Sequence, residues 1–248
     1  MSNMFDLSVT TFNQDGRILQ VTYAQTAVDQ SETIIGVKCS DGVILGAEKQ
    51  LFTNLLVEDT NKRVYNIENS IGMVIGGRIP DGRNCVSRAR KEAQEYQKYF
   101  EVPISGKILA DRISQYIHAH TLYGYYRPFG TAVIVSSYDH IDGFQLHMSD
   151  PSGLNYAYHA CAQGKGKQTA KAEFEKRNFS TLTCRQAMPY ILKILNLTHE
   201  DVKEKKYLYE ISWICQESNF QHKLIPKDLR EQSERQALEM IDDDEQAD

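Results

Sequence analysis

The chain has 248 residues, 41% of them hydrophobic and 25% charged, with a formal net charge of -5. That length supports a hydrophobic core that needs neither a metal nor a disulfide to fold. The acidity gathers in Asp242, Asp243, Asp244, Glu245 and Asp248, which argues against a broad basic face for nucleic acid.

The cysteines at 39, 85, 161, 184 and 215 are odd in number, far apart and without a CxxC pair. They read as reduced thiols of an intracellular chain rather than a disulfide or zinc framework. Met1 to Arg17 is mixed and polar, so it is not read as a secretory leader. No stretch approaches the roughly 18–20 consecutive apolar residues of a membrane span. The expectation is a cytoplasmic or nuclear protein.

Taken in chain order, a short helix is predicted over Leu19–Val28, with Val21, Ala24 and Val28 on one face. Thr33–Cys39 and Val43–Ala47 are strand-like runs around Asp41-Gly42. Asp-Gly suits a tight turn because Gly accepts positive φ, so the pair predicts a hairpin. Asp-Gly recurs at 15–16, 81–82 and 142–143, and is read as punctuation at each place. A strand is expected at Ile71–Ile75. Cys85, Ala89, Ala93, Tyr96 and Phe100 then fall at helical steps, and Leu109, Ile113, Tyr116, Ile117 and His120 form a second stripe after a Pro103/Gly106 break.

A second hairpin is predicted from Thr131–Val135 and Phe144–Met148, and further strands at Asn155–Ala162, Tyr207–Ile214 and Gln221–Leu224. Helices are expected at Lys165–Lys176 and Cys184–Leu195. Pro189 argues against the latter unless it lies in the first turn. A last helix follows Pro226, ahead of an acidic tail at 242–248 expected to be disordered. Hairpins alternating with paired helices imply two sheets between helix layers, burying both sheet faces. One domain over 1–241 is expected, with 1–30 forming an N-terminal segment and helix.

Chemical motifs are sparse. Gly164 to Gln168 resembles a phosphate loop, but Gln168 stands where a hydroxyl must hold magnesium; a glycine-rich helix entry fits better. His118 and His120 are two apart on a helix and face different ways. No metal-binding spacing and no GxSxG elbow occur. The aromatic run Tyr123–Phe129 has only Arg127 as a basic neighbour, which favours a packing or interface role over base stacking. Asn178-Phe-Ser and Asn196-Leu-Thr match the glycosylation pattern, which has no consequence without a secretory route. A nucleophile assembled only in three dimensions remains open at this point.

One long segment carries more. Phe5 to Ala24, containing Thr11-Phe12, Asp15-Gly16-Arg17 and Gln20-Val-Thr-Tyr-Ala24, closely resembles the signature of proteasome α-type subunits, which reads YD…TxFSPDGRLxQVEYA. Arg127-Pro-Phe-Gly130 and Asp150-Pro-Ser-Gly153 resemble further landmarks of that family, and the likeness runs from Phe5 to about Ile241. His118–Tyr123, Trp213 and Ile225–Arg230 point to its α type-3 branch.

The resemblance implies an α+β, four-layer αββα sandwich of the N-terminal nucleophile hydrolase type, with an extra N-terminal helix. It implies no cofactor and no metal. In catalytic relatives a Thr freed at the start of the first strand attacks the peptide bond. The matching position here is Glu32, with the upstream chain still attached, so the hydrolase fold is expected without its chemistry. The implied role is a gating subunit of the 20S core. Its implied partners are other α subunits in a seven-membered ring, the β subunits of the catalytic ring, and C-terminal tails of activators, with no membrane and no direct nucleic-acid contact. The gate cluster of the family maps onto Phe5, Asp6, Gln14 and Tyr23, around the turn Asp15, Gly16 and Arg17. Phe5 lacks the family's phenol and Gln14 its proline ring. The activator-pocket lysine maps onto Arg63, beside Lys62. An autonomous amidohydrolase and a binding module acting through the acidic tail are the competing readings.

Overall fold

A computed structural model describes residues 8–51, 53, 55–57, 60–198 and 206–247. Helix α1 (Leu19–Asp29) precedes the hairpin β1 (Ile34–Lys38) and β2 (Gly42–Leu51). Strands β3 (Val64–Glu68) and β4 (Ile71–Gly77) lead to helices α2 (Ile79–Phe100) and α3 (Gly106–Ala119). Then come β5 (Thr131–Asp139), β6 (Gly143–Ser149), β7 (Asn155–Ala157) and β8 (Ala160–Gln163). Helices α4 (Lys167–Lys176) and α5 (Cys184–Leu197), strands β9 (Lys206–Cys215) and β10 (Lys223–Leu224), and helix α6 (Lys227–Ala247) complete the order.

The strands form two five-stranded antiparallel sheets, β10-β9-β2-β1-β8 and β3-β4-β5-β6-β7. Ile34, Val43, Leu45, Val74, Ile134, Leu146 and Cys161 pack between them. Helices α4 to α6 cover the outer face of the first sheet, through Ala170, Ile191, Leu195 and Ala237 against Ile35, Ile44 and Trp213. Helices α2 and α3 cover the other, through Ala89, Leu109, Ile113 and Ile117 against Met73, Ile75 and Val133. Both faces of each sheet are therefore buried, as the strands' apolar runs require.

Several expectations need correction. The single strand expected over Asn155–Ala162 is two. β7 pairs with β6 and β8 pairs with β1, in different sheets. Tyr158 and His159 carry the chain across, bonding to Leu146 and Lys38 respectively. Asp81-Gly82 is not a turn but the start of α2, just after Pro80. A Cβ on Gly82 would lie 2.5 Å from Ile75 Cδ1, so glycine serves close helix–sheet packing there. Pro189 sits beyond the first turn, inside α5. Its cost of about 3 kcal/mol is offset by burial of Met188, Ile191, Leu192 and Leu195, each worth roughly 1.5–3 kcal/mol. Thr183 and Gln186 form a capping box at the start of that helix. Strand β3 was not anticipated. The tail expected to be disordered continues α6 as far as Ala247; Glu, Gln and Ala are good helix formers, and the helix ahead of them is already nucleated.

Candidate functional site

The start of β1 is where this fold concentrates its buried charge. Ser31 fastens the end of α1 to it: its hydroxyl donates to Val28 O at 2.7 Å and accepts from the Gly77 N–H at 2.9 Å. Lys167 Nζ pairs with Asp29 at 2.7 Å, linking α1 to α4. Thr33 is fully buried. Its N–H donates to Glu48 Oε2 at 3.3 Å, and its hydroxyl accepts from the Gly166 N–H at 3.1 Å. A Cβ on Gly164, at φ +106°, would lie 2.6 Å from Glu32 O, so the loop before α4 closes directly over this peptide.

Around Thr33 the charges interlock. Arg63 Nη2 reaches Glu32 Oε2 at 2.7 Å, and its Nη1 donates to Gly77 O at 3.4 Å. The Arg63 backbone N–H donates to Glu210 Oε2 at 2.8 Å, and Lys49 Nζ pairs with the same oxygen at 3.3 Å. Arg63 is only 3% exposed. A cation this deep is tolerated because a carboxylate and a carbonyl face it. Neither an exposed tail-binding group nor an ordinary surface charge describes it; Lys62 beside it is exposed.

A threonine nucleophile needs a basic amine and a hydroxyl free to attack. Thr33 has a peptide nitrogen whose N–H is donated, and a hydroxyl already engaged. Sequence reasoning found Glu32 but not Glu48, Lys49 or Glu210. Their charge within strand patterns was the available signal, since charged residues are seldom fully buried unless paired.

The N-terminal segment is built separately. Gln14, Asp15, Gly16 and Arg17 form an exposed turn ahead of α1, with Gly16 at φ +73°. Asn13 organises it: its side-chain oxygen accepts from the backbone N–H of Asp15 at 3.1 Å and of Arg17 at 2.8 Å. This Asx turn was missed. Tyr23 stands on α1, half exposed. Phe5 and Asp6 of the expected gate cluster lie outside the described residues.

The landmark Arg127–Gly130 has a structural partner in Asp81. Arg127 binds that carboxylate through two nitrogens at 2.6 and 2.7 Å, and the Gly130 N–H donates to it at 2.9 Å. Burial pushes the Asp81 carboxyl up, but these donors outweigh it and hold it below its usual range. In Asp150–Gly153, Asp150 Oδ1 accepts from the N–H groups of Ser152 and Leu154, closing a tight turn. Large apolar groups remain in solvent elsewhere, among them Tyr99, Phe100, Tyr123, Tyr125 and Tyr126. Among the described residues no cluster of ligands able to hold a metal occurs, and no helix is long and apolar enough to cross a membrane.

Comparison with known proteins agrees with this architecture. A family model described as "Proteasome subunit" matches residues 28–214, and a second, for the N-terminal signature of the proteasome's A-type subunits, matches residues 5–27. The chain is 47% identical over 243 residues to the alpha type-3 proteasome subunit of Oryza sativa, covering 97% of each. It is 42% identical to the alpha type-3 protein of Arabidopsis thaliana, again covering 97% of each. A Saccharomyces cerevisiae protein, named as the probable alpha type-7 proteasome subunit, is 43% identical over 92% of this chain and 81% of its own length.

Proposed function

The chain belongs to the proteasome subunit family as a structural α-ring subunit of the 20S core, and we propose that it works there without peptidase activity of its own. The observation that carries this reading is the sealed start of β1. Thr33 lies behind Glu32 and α1, with its amide and hydroxyl both committed. The autonomous amidohydrolase is not favoured, because it needs a cut directly ahead of a strand that α1 and the Gly164 loop cover.

In this reading the exposed aromatics of α2 and of the segment after α3 meet neighbouring subunits. An isolated protein seldom leaves so many large apolar groups in water. The partners are other α subunits of a seven-membered ring on one side and β subunits of the catalytic ring on another. The N-terminal segment contributes to the gate through Phe5, Asp6, the turn Gln14, Asp15, Gly16 and Arg17, and Tyr23. Phe5 and Gln14 weaken that contribution, since a phenol hydroxyl and a rigid ring are both missing. Activator tails end in a carboxylate; Lys62 offers it an exposed cation, whereas Arg63 is reached only by displacing Glu32. The acidic end of α6 acts as a solvated terminus, and the particle works in cytoplasm and nucleus.

Mass spectrometry of the native particle tests the reading. The expected result is the uncut chain, one copy per α ring. A mature form beginning at Thr33, or absence of the chain from α rings, would overturn it.

A further inference from the structure

The four Asp-Gly pairs of the chain share a sequence but not a setting, and their chemistry depends on the setting. The backbone nitrogen after an aspartate can attack the side-chain carboxyl carbon and close a five-membered succinimide ring. Glycine in the following position favours this, because no side chain crowds the nitrogen and the backbone turns freely. The carboxyl group must also be free to swing back over the main chain.

Two of the pairs are locked. Asp81 is buried, and Arg127 and the Gly130 N–H hold its carboxylate. The Gly82 N–H donates to Arg78 O at 3.0 Å in the first turn of α2. Asp41 Oδ1 accepts from the Cys184 N–H at 2.7 Å, which ties that carboxylate to the start of α5. Gly42 is packed so closely that a Cβ on it would lie 2.3 Å from Ile214 O. Ring closure at either place requires the packed core to open.

The pair at 142–143 is the reverse. Asp142 is exposed, beside Ile141, which is 95% exposed. Its N–H donates to Asp139 Oδ1 at 2.7 Å, but among the described residues no hydrogen bond or ion pair holds its carboxylate. Gly143 sits at φ +69°, and a Cβ on it would meet nothing within 4 Å. Such a hairpin tip opens locally without disturbing the sheet behind it. Asp15-Gly16 is intermediate. It is exposed, but Asn13 clasps it: Nδ2 donates to Asp15 Oδ2 at 3.4 Å, and Asn13 O accepts from the Gly16 N–H at 3.0 Å.

We propose that Asp142 is a site of spontaneous aspartate-to-isoaspartate conversion in the folded chain, with Asp15 slower and with Asp41 and Asp81 protected by the fold. In the first step Gly143 nitrogen attacks Cγ of the protonated Asp142 carboxyl. The C–N bond forms, and the hydroxyl leaves with the amide proton as water. In the second step water opens the ring. Attack at the side-chain carbonyl restores aspartate. Attack at the main-chain carbonyl breaks the original peptide bond, frees the main-chain carboxylate and leaves Gly143 joined through the side chain. One water leaves and one enters, so the mass is unchanged and no oxidant or cofactor is consumed. Asp81 has a further protection: its donors hold the carboxyl below the usual range, against the opposing effect of burial, and so keep it in the ionised form, which does not lose hydroxyl.

The new linkage adds one carbon to the main chain between β5 and β6. The turn in which Asp139 Oδ1 accepts from the N–H groups of Ile141 and Asp142, at 2.8 and 2.7 Å, changes shape. The pairings next to it, Asp139 with Gly143 and Tyr138 with Phe144, are the ones that shift, because turn geometry sets hairpin register. Conversion thus marks the age of a chain at a surface turn.

The test holds the purified native particle at physiological temperature and neutral pH for weeks, then digests it and maps the peptides. A parallel sample is kept unfolded in guanidinium chloride. The expected result in the folded sample is a second Asp142 peptide of unchanged mass and altered retention. It should resist a protease that cuts ahead of aspartate and accept a methyl group from an isoaspartyl methyltransferase. The Asp15 peptide should convert several-fold more slowly, and the Asp41 and Asp81 peptides should stay unchanged. In the unfolded sample all four should convert at similar rates. An Asp142 peptide that stays intact in the particle while the unfolded chain converts there overturns the proposal. So does conversion of Asp41 or Asp81 in the particle as fast as that of Asp142, and Asp15 ahead of Asp142 overturns the assignment of the principal site.

Discussion

Strand β1 is only five residues long, yet its two ends are chemically opposite. At the upstream end, polar groups are committed one to another: Thr33 to Glu48 and Gly166, Glu32 to Arg63, Lys49 to Glu210. At the downstream end, Cys39, Cys184 and Cys215 are buried around the turn at Gly42, and a thiol is only a weak donor and acceptor. The same strand thus carries one end held by charged and hydrogen-bonded groups and one packed by small, weakly polar ones. The difference teaches that burial is met in two ways, by strong pairing where a group is charged and by close packing where it is a thiol.

The largest effect tests the committed end. Arg63→Ala would leave the Glu32 carboxylate and the Gly77 carbonyl without the guanidinium they share, at a cost of about 3–5 kcal/mol. Urea titration of the full chain measures it. A loss below about 1 kcal/mol would mean that the network behaves like a surface pair, and the contrast between the two ends would collapse.

This network also marks where the sequence ran out. The helical stripes of α2 and α3 and the Asp41-Gly42 hairpin were legible because period and turn chemistry are local. The sealing of Thr33 was not, because Gly166 is far from it in sequence, just as Glu210 is far from Lys49 and meets it only across the β2–β9 register. The Glu32 position was readable through family resemblance alone. Its partner Arg63 was found, but its burial was not, since nothing local to it shows the carboxylate it meets. The thiol cluster was hidden for the same reason as Glu210. Cysteines scattered along the chain become neighbours through a glycine whose role in the register no spacing rule reveals.

A second prediction concerns another buried group bridging the two sheets. His222 Nε2 lies 2.8 Å from Ser212 Oγ of β9, and its backbone N–H donates to Asn69 O at 2.7 Å. A Cβ on Gly72 of β4 would lie 2.1 Å from its ring. Burial lowers its pKa from 6.5 to about 4. The folded state therefore resists protonation where the unfolded state accepts it. Stability should fall as pH drops from 6.5 towards 4 and level off below. Between about pH 7 and about pH 5 the loss is on the order of 2 kcal/mol. Urea midpoints at the two values check it, and His222→Gln should remove this part of the slope.

Gly42→Ala sharpens the comparison at the other end. The added methyl meets Ile214 O at 2.3 Å and Cys184 Sγ at 2.7 Å, so β2 and β9 must spread. The cost is about 1–3 kcal/mol, read by thermal unfolding. An unchanged midpoint would mean that the strands separate freely and that the turn does not need its glycine.

The smallest expected change in folding carries the assembly reading. Tyr125 is 76% exposed, its ring against Tyr126 at 4.4 Å. In the separate chain that contact lies in water, and Tyr125→Ser should alter folding stability by no more than about 0.5 kcal/mol. In a ring, an aromatic at a subunit boundary is the kind of residue whose truncation costs more than about 1 kcal/mol of association. The two readouts therefore separate. Unfolding of the variant should match the parent chain, while its incorporation into α rings in competition with the parent should drop several-fold. Equal incorporation would assign this tyrosine cluster to solvent, and the interface would have to lie elsewhere, with Tyr99 and Phe100 of α2 the next surface to test.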